Sequence, residues 1–302
     1  MRTENNTMLT NVHETKCSIG EEEIDKLMDS SVQESLQQII AKEGYESYEI
    51  SIKKLSTDGG NYLGDLYEVD VKGTTVKGLK EINLFVKQAI KMNPTESVVN
   101  VNSIYQNELF VYNELSKVYS NLQDEAIIPS GERFKVVNSY NESNEDAIIL
   151  ENLSKKGFEV RNRMDVGSES AEAILIDYQL IFWGSPVFDL LYFFYMCTDR
   201  AFRKKHMTYL KNIYHGTLRN YLNFFKMDVD KIYPKKLFLE DFENHLEVGL
   251  LVAFYGLPFC FTREDAVPDF KDNVTDMKIK LHDSFFERFE GIVDDYLEWG
   301  II

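Results

Sequence analysis

The chain has 302 residues, 44% hydrophobic and 27% charged, a balance that excludes a disordered or fibrous protein over most of the length. Its 33 basic and 50 acidic side chains leave a formal charge of −17 and a pI near 4.8. That field repels nucleic-acid backbones and anionic membrane surfaces, so a phosphate-bearing ligand needs a local cation or a metal to hold it. Three cysteines, Cys17, Cys197 and Cys260, form no CxxC pair, which argues against both a disulfide framework and a zinc site. The first residues lack the apolar core of a secretory leader, and the longest apolar run, Val187–Cys197, is too short to span a bilayer and contains Asp189. A cytoplasmic protein with no membrane or nucleic-acid partner is expected.

Residues 1–17 are polar and read as a mobile tail. Ser18 and Glu21 have capping-box spacing, predicting a helix through Ile24, Leu27, Met28 and Leu36 to Ile40, with Gly44 as its stop. From there to about residue 90 the period is two. Tyr67, Val69 and Val71 alternate with Glu68 and Asp70, and Ile82, Leu84 and Val86 alternate with Asn83 and Phe85. Antiparallel strands are expected, turned at Gly59-Gly60 and at Gly73. A helix over about 103–119 places Ile104, Glu108, Tyr112 and Leu115 on one face. Further strands are expected at 134–137, 147–150 and 173–176, and helices at about 187–198, 203–226, 236–256 and 272–298. The pattern predicts an α+β protein in two lobes, 18–150 and 151–302, joined near Glu151.

Four features stand in a chemically suggestive order. Lys87 lies inside a strong strand pattern, Leu84-Phe85-Val86-Lys87, and Glu108 follows on the next helix. Taken singly, a strand lysine is more often solvent-facing and a helix glutamate more often solvated. Ile149-Leu150-Glu151-Asn152-Leu153 is a strand ending in a polar hinge. Ile174-Leu175-Ile176-Asp177 is an apolar strand ending in an aspartate, where rigidity and exposure suit a metal ligand. In combination, a lysine for nucleotide phosphates, a glutamate to orient it, a hinge for adenine and an aspartate for magnesium make up the parts of a kinase-like phosphotransferase.

The segments that carry these residues resemble the ecdysteroid-kinase-like family, also called choline/ethanolamine-kinase-like or juvenile-hormone-inducible proteins. Glu151-Asn152-Leu153 with Gly157-Phe158 is similar to that family's LEDLxxxGF segment. Ile176-Asp177-Tyr178-Gln179, continuing through Gly184-Ser185-Pro186 to Asp189-Leu190, is similar to its IDFQ…GSPxxDL signature, and Glu108 through Tyr112 to its helix motif. The similarity covers roughly residues 45–300. It implies a protein-kinase-like fold of the aminoglycoside- and choline-kinase type, using ATP and Mg2+. Lys87 would pair with Glu108, and Glu151, Asn152 and Leu153 would form the adenine hinge. Asp177 would hold the metal, and Asp189 would have a structural role at a helix start. The substrate it implies is a small hydroxylated molecule such as a steroid alcohol or an amino alcohol, in a pocket built from aromatics such as Tyr192, Phe193, Phe254, Phe259 and Phe261. The same aromatics also read as ordinary core.

One part departs from the family pattern. Members carry a His-Gly-Asp catalytic loop ahead of the metal aspartate, and this chain has no histidine between Glu151 and Asp177. The 26 positions separating those two residues are too few for two helices and a catalytic loop, which need roughly 40. A block after about Phe158 is therefore expected to be missing, leaving the helical lobe incomplete. Asn162 is a candidate metal-binding asparagine, with a polar loop as the other reading. Asp165 is the only carboxylate available to nominate as a base, and no catalytic residue is assigned. A phosphotransferase with an unrecognised base, a catalytically dead nucleotide- or partner-binding module, and a truncated product of an active parent gene all fit. A plain α+β interaction module explains the elements but not the ordered lysine, glutamate and aspartate.

Overall fold

The computed structural model describes residues 28–55, 64–91, 100–159, 173–263 and 279–302. Among the described residues the first element is α1 (Ser30–Lys42), which ends on Glu43 and Gly44, the latter at φ +73, a backbone that glycine adopts without a Cβ penalty. Asp29 is extended, so this helix begins at Ser30 rather than running unbroken from Ser18 as the capping-box spacing suggested. What fixes the start is tertiary: the Asp29 N–H donates to Oε1 of buried Gln88, 3.0 Å away on a neighbouring strand. Ser18 and Glu21 lie outside the described residues.

Strands β1 (Tyr45–Lys54), β2 (Gly64–Thr75), β3 (Gly78–Ala89) and β4 (Ala147–Glu151) form one antiparallel sheet in the order β1-β2-β3-β4. The β2–β3 turn falls at Val76-Lys77 with Gly78 at φ +113. Gly73 lies within β2 instead, where a Cβ would come within 2.1 Å of the Ser47 carbonyl oxygen. Gly59-Gly60 lies outside the described residues. The expected strand at 134–137 shrinks to one bridge, Val136 to Leu175, which is also all that forms of the strand at 173–176.

The sheet is covered on both faces. Val32, Leu36, Ile39 and Ile40 of α1 pack on Tyr67, Val69, Val71, Leu84, Val86, Ala147 and Ile149. On the other face, Val101, Ile104, Tyr105 and Tyr112 pack on Ile148 and Leu150, with Phe85 beside them. This explains why Ala147 to Leu150 is a continuous apolar run: with both faces buried, neither set of alternating positions meets water. Each such side chain contributes about 1.5–3 kcal/mol by leaving water. The covering helix runs as α2 (Val101–Leu109), a wider π-helical stretch (Phe110–Leu115) and α3 (Ser116–Glu125). Ser116 Oγ donates to the Tyr112 carbonyl, competing with the backbone for that acceptor. The π stretch turns Leu115 off the stripe and buries Val111 beside Tyr112.

A second core joins helices α4 (Val187–Cys197), α5 (Arg200–Phe224), α7 (Lys235–Asn244), α8 (Leu246–Cys260) and α9 (Ser284–Glu298), with the short α6 (Val229–Ile232) between α5 and α7 in the chain. The single helix expected at 236–256 breaks at His245 into α7 and α8, and the last helix starts at Ser284 rather than near 272. Fully buried Arg203 ties α5 to α9 through Asp295 at 2.7 Å and the Gly291 carbonyl at 3.0 Å. The buried ends of this ion pair are satisfied by further hydrogen bonds, including the Thr198 carbonyl at 2.6 Å.

Candidate active site

Strand alternation places Lys87 on the α2 face of the sheet. Leu84 and Val86 point to α1, so Phe85 and Lys87 point the other way, with Lys87 opposite Leu66 and Ile148. On α2 the buried stripe reads Ile104, Glu108, Tyr112 at spacings of four, so Glu108 meets the sheet where the next apolar residue would fall. Both side chains are buried, Lys87 with 7% and Glu108 with 2% of the residue exposed. Lys87 Nζ lies 2.6 Å from Glu108 Oε2, 2.8 Å from Asp177 Oδ1 and 3.3 Å from Gln179 Oε1. Three acceptors match the three N–H donors of an ammonium group. Tyr105 adds its ring face, 5.6 Å from Nζ.

Burial acts to lower the Lys87 pKa, but the charges of Glu108 and Asp177 more than offset it and the net direction is upward. Burial pushes the Glu108 carboxyl up, and contact with Lys87 opposes that push. These two directions pull against each other for a salt bridge. The direct 2.6 Å contact with a cation that two carboxylates keep protonated decides for the charged pair at neutral pH. Asp177 differs from both, its side chain being half exposed. It has φ +67, a left-handed conformation that aspartate tolerates better than most L-residues. Two side chains of the covering helix hold the loop there. The Asp177 N–H donates to the Tyr112 hydroxyl at 3.3 Å and Asn107 Nδ2 donates to the Gln179 carbonyl at 3.0 Å, while the Tyr178 backbone N–H acts to lower the Glu108 pKa.

The hinge residues stand at the end of β4, one strand from Lys87. The Glu151 N–H donates to the Asn138 carbonyl and the Asn152 N–H to the Asn83 carbonyl, each at 2.9 Å. Asn152 caps a 3₁₀ turn (Leu153–Lys156) through its Oδ1 and donates from Nδ2 to Glu68 on β2 at 3.2 Å. Ser154 Oγ donates to the same carboxylate at 3.1 Å. The Asn152 amide is the leading cause that holds the Glu68 carboxyl below its usual range.

Asp189 is in the first turn of α4, exposed, with its carboxyl pushed up by its partly apolar surroundings, and it makes no hydrogen bond among the described residues. Asn162 and Asp165 lie outside the described residues. Of the aromatic candidates for a substrate pocket, Phe261 is core, whereas Tyr192, Phe193 and Phe254 are 45%, 42% and 60% exposed. Sequence reading assigned no role to Gln179, Tyr105 or Asn107. Gln179 is close to the aspartate in the family signature, whereas Tyr105 gives no local signal. It also missed the tie that anchors the loop after Asp177: Ser185, Tyr233 and His245 all converge on Asp241. The aspartate stands between the serine and the histidine, so this is an anchor and not a nucleophile–base relay.

The donor set suits a hard cation and phosphate. Asp177 has carboxylate oxygens and Gln179 an amide oxygen to offer, and Lys87 places a fixed positive charge beside them. No cluster of three His, Cys, Asp or Glu side chains among the described residues could hold a metal unaided. The set therefore suits magnesium that arrives with phosphate oxygens completing its shell. No helix among the described residues is long and apolar enough to cross a membrane. The sheet, its covering helix and the lysine–glutamate–aspartate cluster describe a mixed α and β protein with a site suited to a charged, oxygen-rich ligand. The ecdysteroid kinase-like family model matches residues 58–168 and 163–227, a span of 170 of the 302 residues, and the chain belongs to that family. No curated protein matches the chain.

Proposed function

We propose that the chain binds ATP with magnesium between the four-stranded sheet and the helical half, and that its phosphoryl transfer to a small hydroxylated molecule is impaired. The observation that carries this reading is the buried Lys87 ammonium between Glu108 and half-exposed Asp177. Glu108 fixes the lysine, Lys87 neutralises phosphate charge, and Asp177 offers its exposed carboxylate to the metal. Bound magnesium would supply charge neutralisation on the phosphates. At the hinge the N–H groups of Glu151 and Asn152 are used by the fold, so the adenine edge would use the Glu151 carbonyl and the Leu153 N–H. Asn162 would be a second metal ligand and Asp189 a structural residue.

The domain reading accompanies it: a nucleotide lobe at 18–150 and a shortened helical lobe at 151–302. Two observations support the shortening. The family match comes in two pieces that meet at 163–168. Leu175, Ile176, Leu180, Phe182 and Trp183, beside Asp177, are between 50% and 98% exposed, as apolar residues would be whose cover has been removed. Without a base to position the acceptor hydroxyl, transfer would fall by about 10²–10⁴ from that loss alone. The substrate class favoured is a steroid alcohol or an amino alcohol.

The test is a thermal-shift titration with ATP, with and without magnesium, on the full chain and on Asp177→Ala, beside a phosphate-transfer assay with hydroxylated steroids and choline. Magnesium-dependent stabilisation lost in the variant, with little or no transfer, is the expected result. Stabilisation that survives the substitution, or turnover on the timescale of seconds, overturns the reading.

A further inference from the structure

We infer that Tyr112 is a positioning residue for Asp177, its hydroxyl setting the left-handed backbone that aims the carboxylate. The inference deepens the nucleotide-site reading above and rests on it for its consequence, though not for its geometry. Tyr112 is 4% exposed, one turn beyond Glu108 on the same stripe of the covering helix. Its hydroxyl is the acceptor for the Asp177 N–H at 3.3 Å. Its ring stands edge-on to Tyr178, with centroids 5.4 Å apart and planes at 79°. The ring and the hydroxyl therefore grip adjacent residues of the same loop.

The chemistry of the two contacts differs. Ring packing holds the loop near the helix but leaves rotation about the Asp177 backbone free. The hydrogen bond is directional, and it fixes the peptide plane ahead of Asp177. An exposed residue in a sparsely populated backbone region keeps that conformation only if its surroundings impose it. The neighbouring ties do not substitute for it. The Tyr178 backbone N–H acts on the Glu108 carboxylate, and Asn107 Nδ2 donates to the Gln179 carbonyl, so both contacts act on peptides that follow Asp177 and neither on the one ahead of it. Tyr112 alone, among the described residues, holds the Asp177 N–H. The helix thus sets the lysine through Glu108 and the aspartate through Tyr112, one helical turn apart.

Tyr112→Phe removes the hydroxyl and keeps the ring. Amide hydrogen exchange on the full-length variant, without ligand, should be about three- to tenfold faster in the segment 174–181, the range expected for one lost hydrogen bond, with the β4 segment 147–151 unchanged. In the second arm, the concentration of magnesium needed for half-maximal stabilisation by ATP should rise by a similar factor, while ATP without magnesium acts as on the parent chain. Unchanged exchange at 174–181 overturns the inference. Equal acceleration in both segments also overturns it, since the hydroxyl would then be serving general stability. Local acceleration with an unshifted magnesium requirement overturns the positioning role. Should the parent chain show no response to ATP and magnesium, the nucleotide reading and the metal-aiming role fall together, while the exchange arm still decides whether the tether exists.

Discussion

Replacing Lys87 by methionine keeps most of the side-chain volume and removes the cation, leaving Glu108 buried beside an apolar group. Glu108 is 2% exposed and cannot rehydrate, so it will take up a proton instead. A carboxyl with an ordinary pKa of 4.5 costs about 1.4 kcal/mol for each pH unit above that value at which it is held neutral. At pH 7 the gap is about 2.5 units, giving a loss of about 3.4 kcal/mol, within the usual range for breaking one side of a buried pair. Half-exposed Asp177 adds little, because water replaces its lost partner. The loss should shrink on acidification to about 1.4 kcal/mol at pH 5.5, because a carboxyl neutral in the folded state then costs less relative to the unfolded chain. In Lys87→Met/Glu108→Gln no charge remains to be buried, so much of the loss at pH 7 should return. Urea denaturation of the two single variants and the double variant at pH 5.5 and 7 measures all three quantities. A loss in Lys87→Met that is independent of pH, together with no recovery in the double variant, would refute the argument that an orphaned carboxylate dominates.

At Gly64, a Cβ would sit 2.5 Å from the Tyr105 hydroxyl and 2.8 Å from the Gln88 carbonyl oxygen, so Gly64→Ala should cost about 1–3 kcal/mol of stability by thermal or urea melting. A variant as stable as the parent would show that Tyr105 moves away freely. Gly249→Ala should be at least as damaging, since its Cβ would lie 2.2 Å from the Tyr195 ring where α8 crosses α4; a melting temperature unchanged in that variant contradicts the close approach. Glu68 has its folded pKa depressed, chiefly by Asn152, so its contribution is full above pH 4.5 and is lost as the pH falls through the folded value. Hydrogen exchange across 152–157 should therefore accelerate in acid in the parent chain and show no such acid step in Glu68→Gln. An acid step that persists in the variant assigns it to another group.

Alternation and periodicity specify local geometry, and they specified much here. The period of two between Tyr45 and Ala89, the helical stripe through Ile104, Glu108 and Tyr112, and Gly44 as a helix stop all follow from the spacing of apolar side chains or from the backbone that glycine allows. The order of Lys87, Glu108 and Asp177 along those elements was also visible, because each interrupts an apolar pattern or ends one. Elements held by distant partners were not. The start of α1 depends on Gln88, 59 residues away, and the single bridge formed by Leu175 depends on Val136. The break at His245 divides an apolar stretch that reads as one helix.

What the sequence by itself determined is therefore the type and order of most of the described elements, and which charged residues interrupt or end an apolar pattern. Only the tertiary structure decided that the ammonium of Lys87 meets Glu108, Asp177 and Gln179 at once, that Tyr112 holds the Asp177 backbone, and that Gly64 leaves room for Tyr105. The physical reason is one of range. Periodicity encodes which side of an element faces the core, through interactions a few residues long. The distance between a β3 lysine and a loop aspartate 90 residues later is set by how the covering helix packs on the sheet, which is a property of the whole assembled core.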